Sequence, residues 1–411
     1  MRAVNIAKRL AGLKPGEAVI LLADLAINTG FFMLIPYLSI HIKTSLGLSA
    51  TVAGTVLAVR TGVQQVLMTL AGPLADLYGY KRVLLVGLLV RAVGFASFAF
   101  MGDLRGLIIS AILSGMGGAL FSSAERAAYA ALNPGPDQSG RFALLYTAQS
   151  AGTTLGPLIG VMLIAVNFRM LSLVAGAVYL PIALLVYLGL PNLATGRAAP
   201  EPARAAAEVL HSILTVAKNR AFVAYCFISA GFWAISGQIQ ISLSLHAAEV
   251  TGSLTSVTTL LWVNSLMVIG LQYGLQKFMH GRLDRLTQWA IGSAIAGAGF
   301  LLIIPFPGMA GMIAAVVLLS FGGMLLRPVD FELVLGMAPR DAIASYYGFS
   351  ALAVALGGSA GQYLGGRLTD VAATTGLAWV PWITFAILGL ASAAGMVSFG
   401  RRVPKPAKAI A

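Results

Sequence analysis

Eight charged side chains fall inside otherwise apolar stretches of the 411-residue chain, away from the ends of those stretches: Asp24, Arg60, Arg91, Glu125, Arg126, Arg327, Asp330 and Glu332. Four are acids and four are arginines. Such a set can do one kind of chemistry well. A carboxyl takes up and releases a proton, and a guanidinium beside it decides how readily. Left unpaired in an apolar medium, each charge costs several kcal/mol, so pairing or water contact is nearly forced. Two readings stay open. Asp24, Glu125, Asp330 and Glu332 are proton-coupling candidates with Arg60, Arg91, Arg126 and Arg327 as charge partners, or the same groups form a static layer that only seals helices together. Other chemistries find no support. The four histidines are scattered, Cys226 is the single cysteine, and no Gly-x(4)-Gly-Lys-Ser/Thr loop offers a nucleotide site. No metal, no cofactor and no enzyme activity are therefore expected.

The elements that must hold these charges are read from composition. Hydrophobic residues make up 58% of the chain and charged ones 10%, with a mean hydropathy of +0.87. A soluble exterior built from such residues would aggregate, so the chain belongs to the membrane class. Apolar runs of about 20 residues, each long enough for a ~30 Å hydrocarbon layer, recur between short polar breaks. They predict membrane-spanning helices over roughly 17–41, 49–71, 82–101, 104–131, 142–166, 170–190, 220–247, 254–277, 287–305, 309–337, 343–370 and 378–400. No cleavable leader is expected, because the first run extends from about Ala18 to Ile40, too long for a signal-peptide core. At ~1.5 Å per residue, Asp24 and Glu125 lie about 12 Å, Asp330 about 14 Å and Arg60 about 18 Å from the same end of their helices, one shared layer.

Net charge is +13, and its placement argues against nucleic acid. Nineteen of the 27 lysines and arginines fall in termini and loops on one side, and only Lys43, Arg105 and Arg169 in loops on the other. The excess marks the cytoplasmic side, with both termini inside. A polar stretch, 191–219, separates six predicted helices from six. Its second half, with Val209, Leu210, Ile213 and Leu214 at helical spacing, predicts an amphipathic helix along the membrane surface. Shifting 117–160 by 205 positions lays Gly117–Gly118 on Gly322–Gly323, Glu125 on Asp330, and Gly152, Gly156 and Gly160 on Gly357, Gly361 and Gly365. The predicted architecture is all-α: twelve transmembrane helices in two pseudo-symmetric halves, 1–190 and 220–411, joined by the linker 191–219. A duplicated membrane unit is the arrangement that places a transport site at the repeat interface.

Two motifs carry a family resemblance. "GPLADLYGYKR", read as a loop between the second and third helices, resembles the signature G-x-L-A-D-x-x-G-basic-basic of the major facilitator superfamily through Gly72, Asp76, Gly79, Lys81 and Arg82. Leu77 and Tyr80 stand where basic residues are commoner. "GTTLGPLIG", with Gly152, Gly156, Pro157 and Gly160, resembles the G-x(3)-G-P-x(2)-G signature of that superfamily's proton-coupled antiporters. Small residues four apart also let helices pack closely. Stretches such as "LSGMGGALFSSAERAAYAAL" are similar to its bacterial multidrug exporters. The resemblance implies alternating access driven by a proton gradient, export of amphipathic small molecules across a bacterial inner membrane, and a monomer whose partners are substrate, protons and lipid. An endogenous anionic metabolite such as a carboxylate siderophore is the alternative cargo. A membrane-embedded enzyme or a non-transporting receptor is the alternative of another class. Many drug antiporters carry an arginine four residues before a glycine in the fourth helix; here Ala111 precedes Gly115. In this fold helices 1 and 4 line the cavity, which puts Asp24 and Glu125 first as proton carriers. Helix 3 is peripheral, so Arg91 is expected to pack against the loop signature or helix 2. Asn28, Phe31, Phe32, Gln64, Gln149, Trp233, Gln238 and Asn264 are the expected cavity residues. Apolar walls with a few hydrogen-bonding groups suit an amphipathic molecule.

Overall fold

A backbone running through apolar surroundings must satisfy its own N–H and C=O groups, and the helix does so within one segment. The computed structural model describes residues 13–132, 138–192, 214–279, 282–339 and 342–402, which are helical nearly throughout and contain no strand. The helices are α1 (Pro15–Thr44), α2 (Ala50–Tyr78), α3 (Tyr80–Ser97), α4 (Leu104–Leu132), α5 (Gln138–Ile164), α6 (Phe168–Ala177), α7 (Tyr179–Gly189), α8 (Arg220–Ser236), α9 (Ser242–Thr251), α10 (Thr255–Met279), α11 (Arg285–Gly299), α12 (Met309–Met337), α13 (Ile343–Thr375) and α14 (Val380–Arg402).

Local chemistry sets the boundaries. Asn167, Asn219 and Asp284 accept from the Met170, Phe222 and Thr287 N–H groups and so cap α6, α8 and α11. Left-handed Gly252 and Gly376 end α9 and α13. Pro181 accounts for the break between α6 and α7, since its ring conflicts with the Ala177 carbonyl four residues back. Among the described residues, eight helical segments are long and apolar enough to cross a membrane: 15–44, 104–132, 168–189, 220–251, 255–279, 285–303, 309–337 and 380–402. The other predicted spans are helical but diluted by polar residues; α3 carries Lys81, Arg82 and Arg91 within its 18 residues.

One expectation is corrected. Residues 72–78 are not a loop. They continue α2 to Tyr78, α3 begins at Tyr80, and Gly79 alone turns the chain, at φ 90°. Pro73 lies inside this helix and leaves the Thr69 carbonyl without a backbone N–H, yet does not end it, while a residue with a Cβ would be strained at Gly79. Of the predicted amphipathic helix, Val209, Leu210 and Ile213 lie outside the described residues.

The chain divides into two compact units: Met1–Ile35 with Val63–Ala206, and Pro36–Gly62 with Ala207–Ala411. Each is built by the same glycine contacts. In the first, a Cβ on Gly87 would meet the Gly117 carbonyl at 3.1 Å, one on Gly117 would meet Arg91 Cβ at 2.6 Å, and one on Gly152 would meet the Leu25 carbonyl at 2.6 Å. In the second, Gly292 faces the Gly322 carbonyl at 2.7 Å, Gly322 faces Ala296 Cβ at 2.9 Å, and Gly357 faces Ala230. Every partner is displaced by 205, so the repeat written in the sequence is also a repeat of backbone contacts.

Candidate functional site

The first unit builds its buried charges from the glycine faces upward. Gly152 and Gly156 of α5 bring its backbone onto α1; a Cβ on Gly156 would meet the Thr29 carbonyl at 2.7 Å and Phe32 Cβ at 2.8 Å. Pro157 and Gly160 are buried one step further along α5. This contact fixes the turn of α1 that carries Asp24 and Asn28. The Asn28 side-chain amide donates to both the Asp24 carbonyl (2.8 Å) and Asp24 Oδ1 (2.9 Å). Across from it stands Glu125 of α4, close enough for the two carboxyls to act on each other. Both carboxyls are buried, at 4% and 5% exposure. Asp24 Oδ2 and Glu125 Oε1 have no hydrogen-bond partner among the described residues.

Two guanidinium charges act on both acids, those of Arg126 and Arg91. Arg126, next in sequence to Glu125, is exposed. Arg91 is 3% exposed. Its guanidinium carbon stands 5.8, 5.4 and 5.7 Å from the ring centres of Phe31, Phe95 and Tyr179. The expected packing of Arg91 is thus met only in part. Gln64 of α2 is close, because a Cβ on Gly118 would meet Gln64 Cδ and Arg91 Nη1 at 2.9 Å each, but the aromatic rings and the acids are its principal surroundings.

In the second unit Asp330 occupies the position equivalent to Glu125 and has other company. Tyr225 OH and Trp289 Nε1 (3.1 Å) both donate to its Oδ1. Arg327 lies 5.7 Å from the ring centre of Trp233. Glu332 is half exposed and paired with Arg285 at 2.7 Å, beside a cavity of about 250 Å³ lined by Asn219, Phe222 and Phe399 among others. Arg60 is buried in the second unit, whereas Asp24, Glu125 and Arg91 belong to the first.

The remaining candidates are distributed as follows. Phe31 and Phe32 form an edge-to-face pair at 4.9 Å. Gln149 is half-buried on α5. Gln238 is buried with its amide spent on the Ala234 and Gly361 carbonyls, and it accepts from Ser242. Asn264 donates to Ser320 at 2.7 Å. At the start of α3, Tyr80, standing where the signature more often has a basic residue, donates to the exposed Asp76 at 2.9 Å, and Lys81 stands 5.5 Å from the Tyr187 ring centre. Gly72, with open space around its Cα, and exposed Arg82 complete that segment.

Sequence reasoning missed Tyr179, Tyr225 and Trp289. Each lies far along the chain from the charge it serves, so no spacing announces it. Phe95, one turn from Arg91, was within reach of an i,i+4 reading. The Arg141–Glu17 ion pair at 2.9 Å, with Glu17 fully buried, was also missed.

The family model of the Major Facilitator Superfamily matches residues 20–362. The chain belongs to the Major Facilitator Superfamily. It is 29% identical over 394 residues to the multidrug resistance protein MdtH of Aeromonas hydrophila, covering 96% of this chain and 97% of that one. To an uncharacterised MFS-type transporter of Mycobacterium tuberculosis it is 29% identical over 396 residues, 94% and 93% of the two chains. Among solved structures, a POT family transporter in complex with 5-aminolevulinic acid superposes with a TM-score of 0.81 at 14% identity, over 96% and 98% of the chains, which shows the shared fold. As a member of this superfamily the chain is a multi-pass membrane transporter and not an enzyme.

Proposed function

We propose that the protein is a proton-driven exporter of amphipathic small molecules that works by alternating access. The observation that carries the reading is a pair of buried carboxyls, Asp24 on α1 and Glu125 on α4, at 4% and 5% exposure, each with one oxygen that has no hydrogen-bond partner among the described residues. The MdtH relatives support efflux as the direction and drugs as the cargo class. In this reading twelve helices cross a bacterial inner membrane with both termini in the cytoplasm, the proton gradient supplies the energy, no cofactor is needed, and the monomer is the working unit. Asp24 and Glu125 carry the proton; Asp330 and Glu332, held by neutral donors and by Arg285, serve packing.

The test is flux in proteoliposomes. With a pH step imposed across the membrane, ethidium, a fluorescent amphipathic cation, is expected to be extruded, and a protonophore should abolish the flux. Flux that ignores the protonophore or requires sodium would overturn the reading. A second cargo class, an organic polyanion, draws on Arg327, whose guanidinium lies near the Trp233 indole. Citrate in place of ethidium separates the two.

A further inference from the structure

The turn of α12 that carries Arg327 lacks one of its own backbone bonds. Pro328 has no N–H to donate to the Met324 carbonyl four residues back, yet α12 runs unbroken from Met309 to Met337. Met324 is 1% exposed, which denies that carbonyl bulk water as well. A buried carbonyl left without a partner is costly. Two side chains of α10 supply what the backbone lacks. Gln272 Nε2 donates to the Met324 carbonyl at 3.1 Å, and Gln276 Nε2, one turn further along α10, donates to the same oxygen. A carbonyl oxygen has two lone pairs and can take both. From α11, Gln288, at 6% exposure, donates to the next carbonyl, that of Leu325, at 3.0 Å.

The first unit acts as an internal comparison. Its α2, α3 and α4 begin at Ala50, Tyr80 and Leu104, and α10, α11 and α12 begin 205 residues later, at Thr255, Arg285 and Met309. The same shift sets Leu67, Ala71 and Val83 against the three glutamines and Ser123 against Pro328. Where the proline is absent, so are the amides. Ser123 keeps its N–H, and its hydroxyl reaches the opposite way, donating to the Met68 carbonyl of α2 at 3.3 Å. We infer that Gln272 and Gln276 are positioning residues: they stand in for the bond that Pro328 removes and so fix the direction in which α12 presents Arg327. Arg327 is exposed, and its guanidinium carbon lies 5.7 Å from the Trp233 ring centre. Its Nε is 3.8 Å from where a Cβ on Gly323 would stand, so the side chain lies back along α12 over that glycine. The flanks of this turn are anchored separately, Gly322 against Gly292 and Ala296, and Asp330 by Tyr225 and Trp289. Between those anchors the α10 amides replace the missing bond. The inference depends on no choice of proton carrier or cargo.

The experiment uses the full-length purified protein and needs no cargo. Phenylglyoxal modifies guanidinium groups, and peptide mass spectrometry reads its rate at Arg327, with the exposed Arg105 of the first unit as reference. Gln272→Leu combined with Gln276→Leu removes both donors and keeps side chains of similar size. Arg327, loosened from Trp233, is expected to react ~5-fold faster, the change in population that about one neutral hydrogen bond gives. Pro328→Ala returns an N–H to the Met324 carbonyl. In that background the same two changes should leave the rate within ~2-fold, and the difference between backgrounds is the coupling that a double-mutant cycle measures. A rise of equal size in both backgrounds would overturn the role, since the glutamines would then act through packing alone. No rise in either would overturn it too. Should the double change fail to fold, Pro328→Ala is expected to restore a single monodisperse peak in size-exclusion chromatography, and misfolding in both backgrounds would likewise overturn the inference.

Discussion

Asp24 is a buried and Asp330 a half-buried helical carboxyl, and the main difference between them lies in what they touch. Asp330 receives two neutral donors, Tyr225 and Trp289. An amide oxygen can accept both bonds as well, so Asp330→Asn should keep proton-driven transport. Asp330→Ala leaves two donors orphaned, each costing about 1–3 kcal/mol, and should melt earlier by thermal denaturation in detergent. Asp24 touches another acid, where an amide cannot titrate. Asp24→Asn should therefore lose driven transport yet keep substrate exchange between two equally charged compartments, because exchange needs the conformational cycle and no net proton movement. Full activity in Asp24→Asn would pass the role to Glu125. Loss of exchange as well would favour a structural pair. The sequence showed both acids as anomalies in apolar runs. It could not show which one faces a partner acid, since that depends on the rotation of α1 against α4.

At the scale of elements, the small residues of α5 were legible because their four-residue spacing is itself the contact surface. Their target was not. Gly152 and Gly156 lie against Leu25–Met33, which makes them part of the scaffold of the acid pair. Gly156→Ala should push α1 off α5 and cost about 1–3 kcal/mol, read as a lower melting temperature together with weakened driven flux. Gly274→Ala on α10, where an added Cβ meets nothing, should be neutral or gain up to ~1 kcal/mol from helix propensity. The loop signature shows the opposite case. Its glycines and charges read as a turn, while the helix runs on through Tyr78, because a single glycine at positive φ is enough to separate one helix from the next.

Across the whole molecule, hydropathy revealed the helices, glycines in register at a shift of 205 revealed the repeat, and charge bias supplied an expected orientation. None of these could indicate that residues 36–62 pack with the last two hundred residues. That packing is specific. Tyr37 OH meets Thr258 Oγ1 at 2.6 Å, Ser39 donates to the Gln240 carbonyl at 3.1 Å, and Lys43 pairs with Glu249 at 3.2 Å. Asp370 of α13 accepts from the Ala50 and Thr51 N–H groups at 2.9 and 2.8 Å and from the Thr51 hydroxyl, capping α2 from a neighbouring helix. Losing such a cap costs about 1 kcal/mol, a population change of ~5-fold. Asp370→Ala should accordingly raise the rate at which a polar thiol reagent labels S39C by about that factor, measured with Cys226 replaced by serine. An unchanged rate would mean that this packing stands without Asp370.

Along α1, Asp24 and Tyr37 are ~20 Å apart, and Pro36 stands where the chain passes from one unit to the other. Proline has no N–H to give the Phe32 carbonyl, so the hydrogen-bond ladder of the helix has a missing rung there. The turn around Pro36 is therefore held by one backbone bond fewer than the turns before and after it, and side-chain packing must make up the difference.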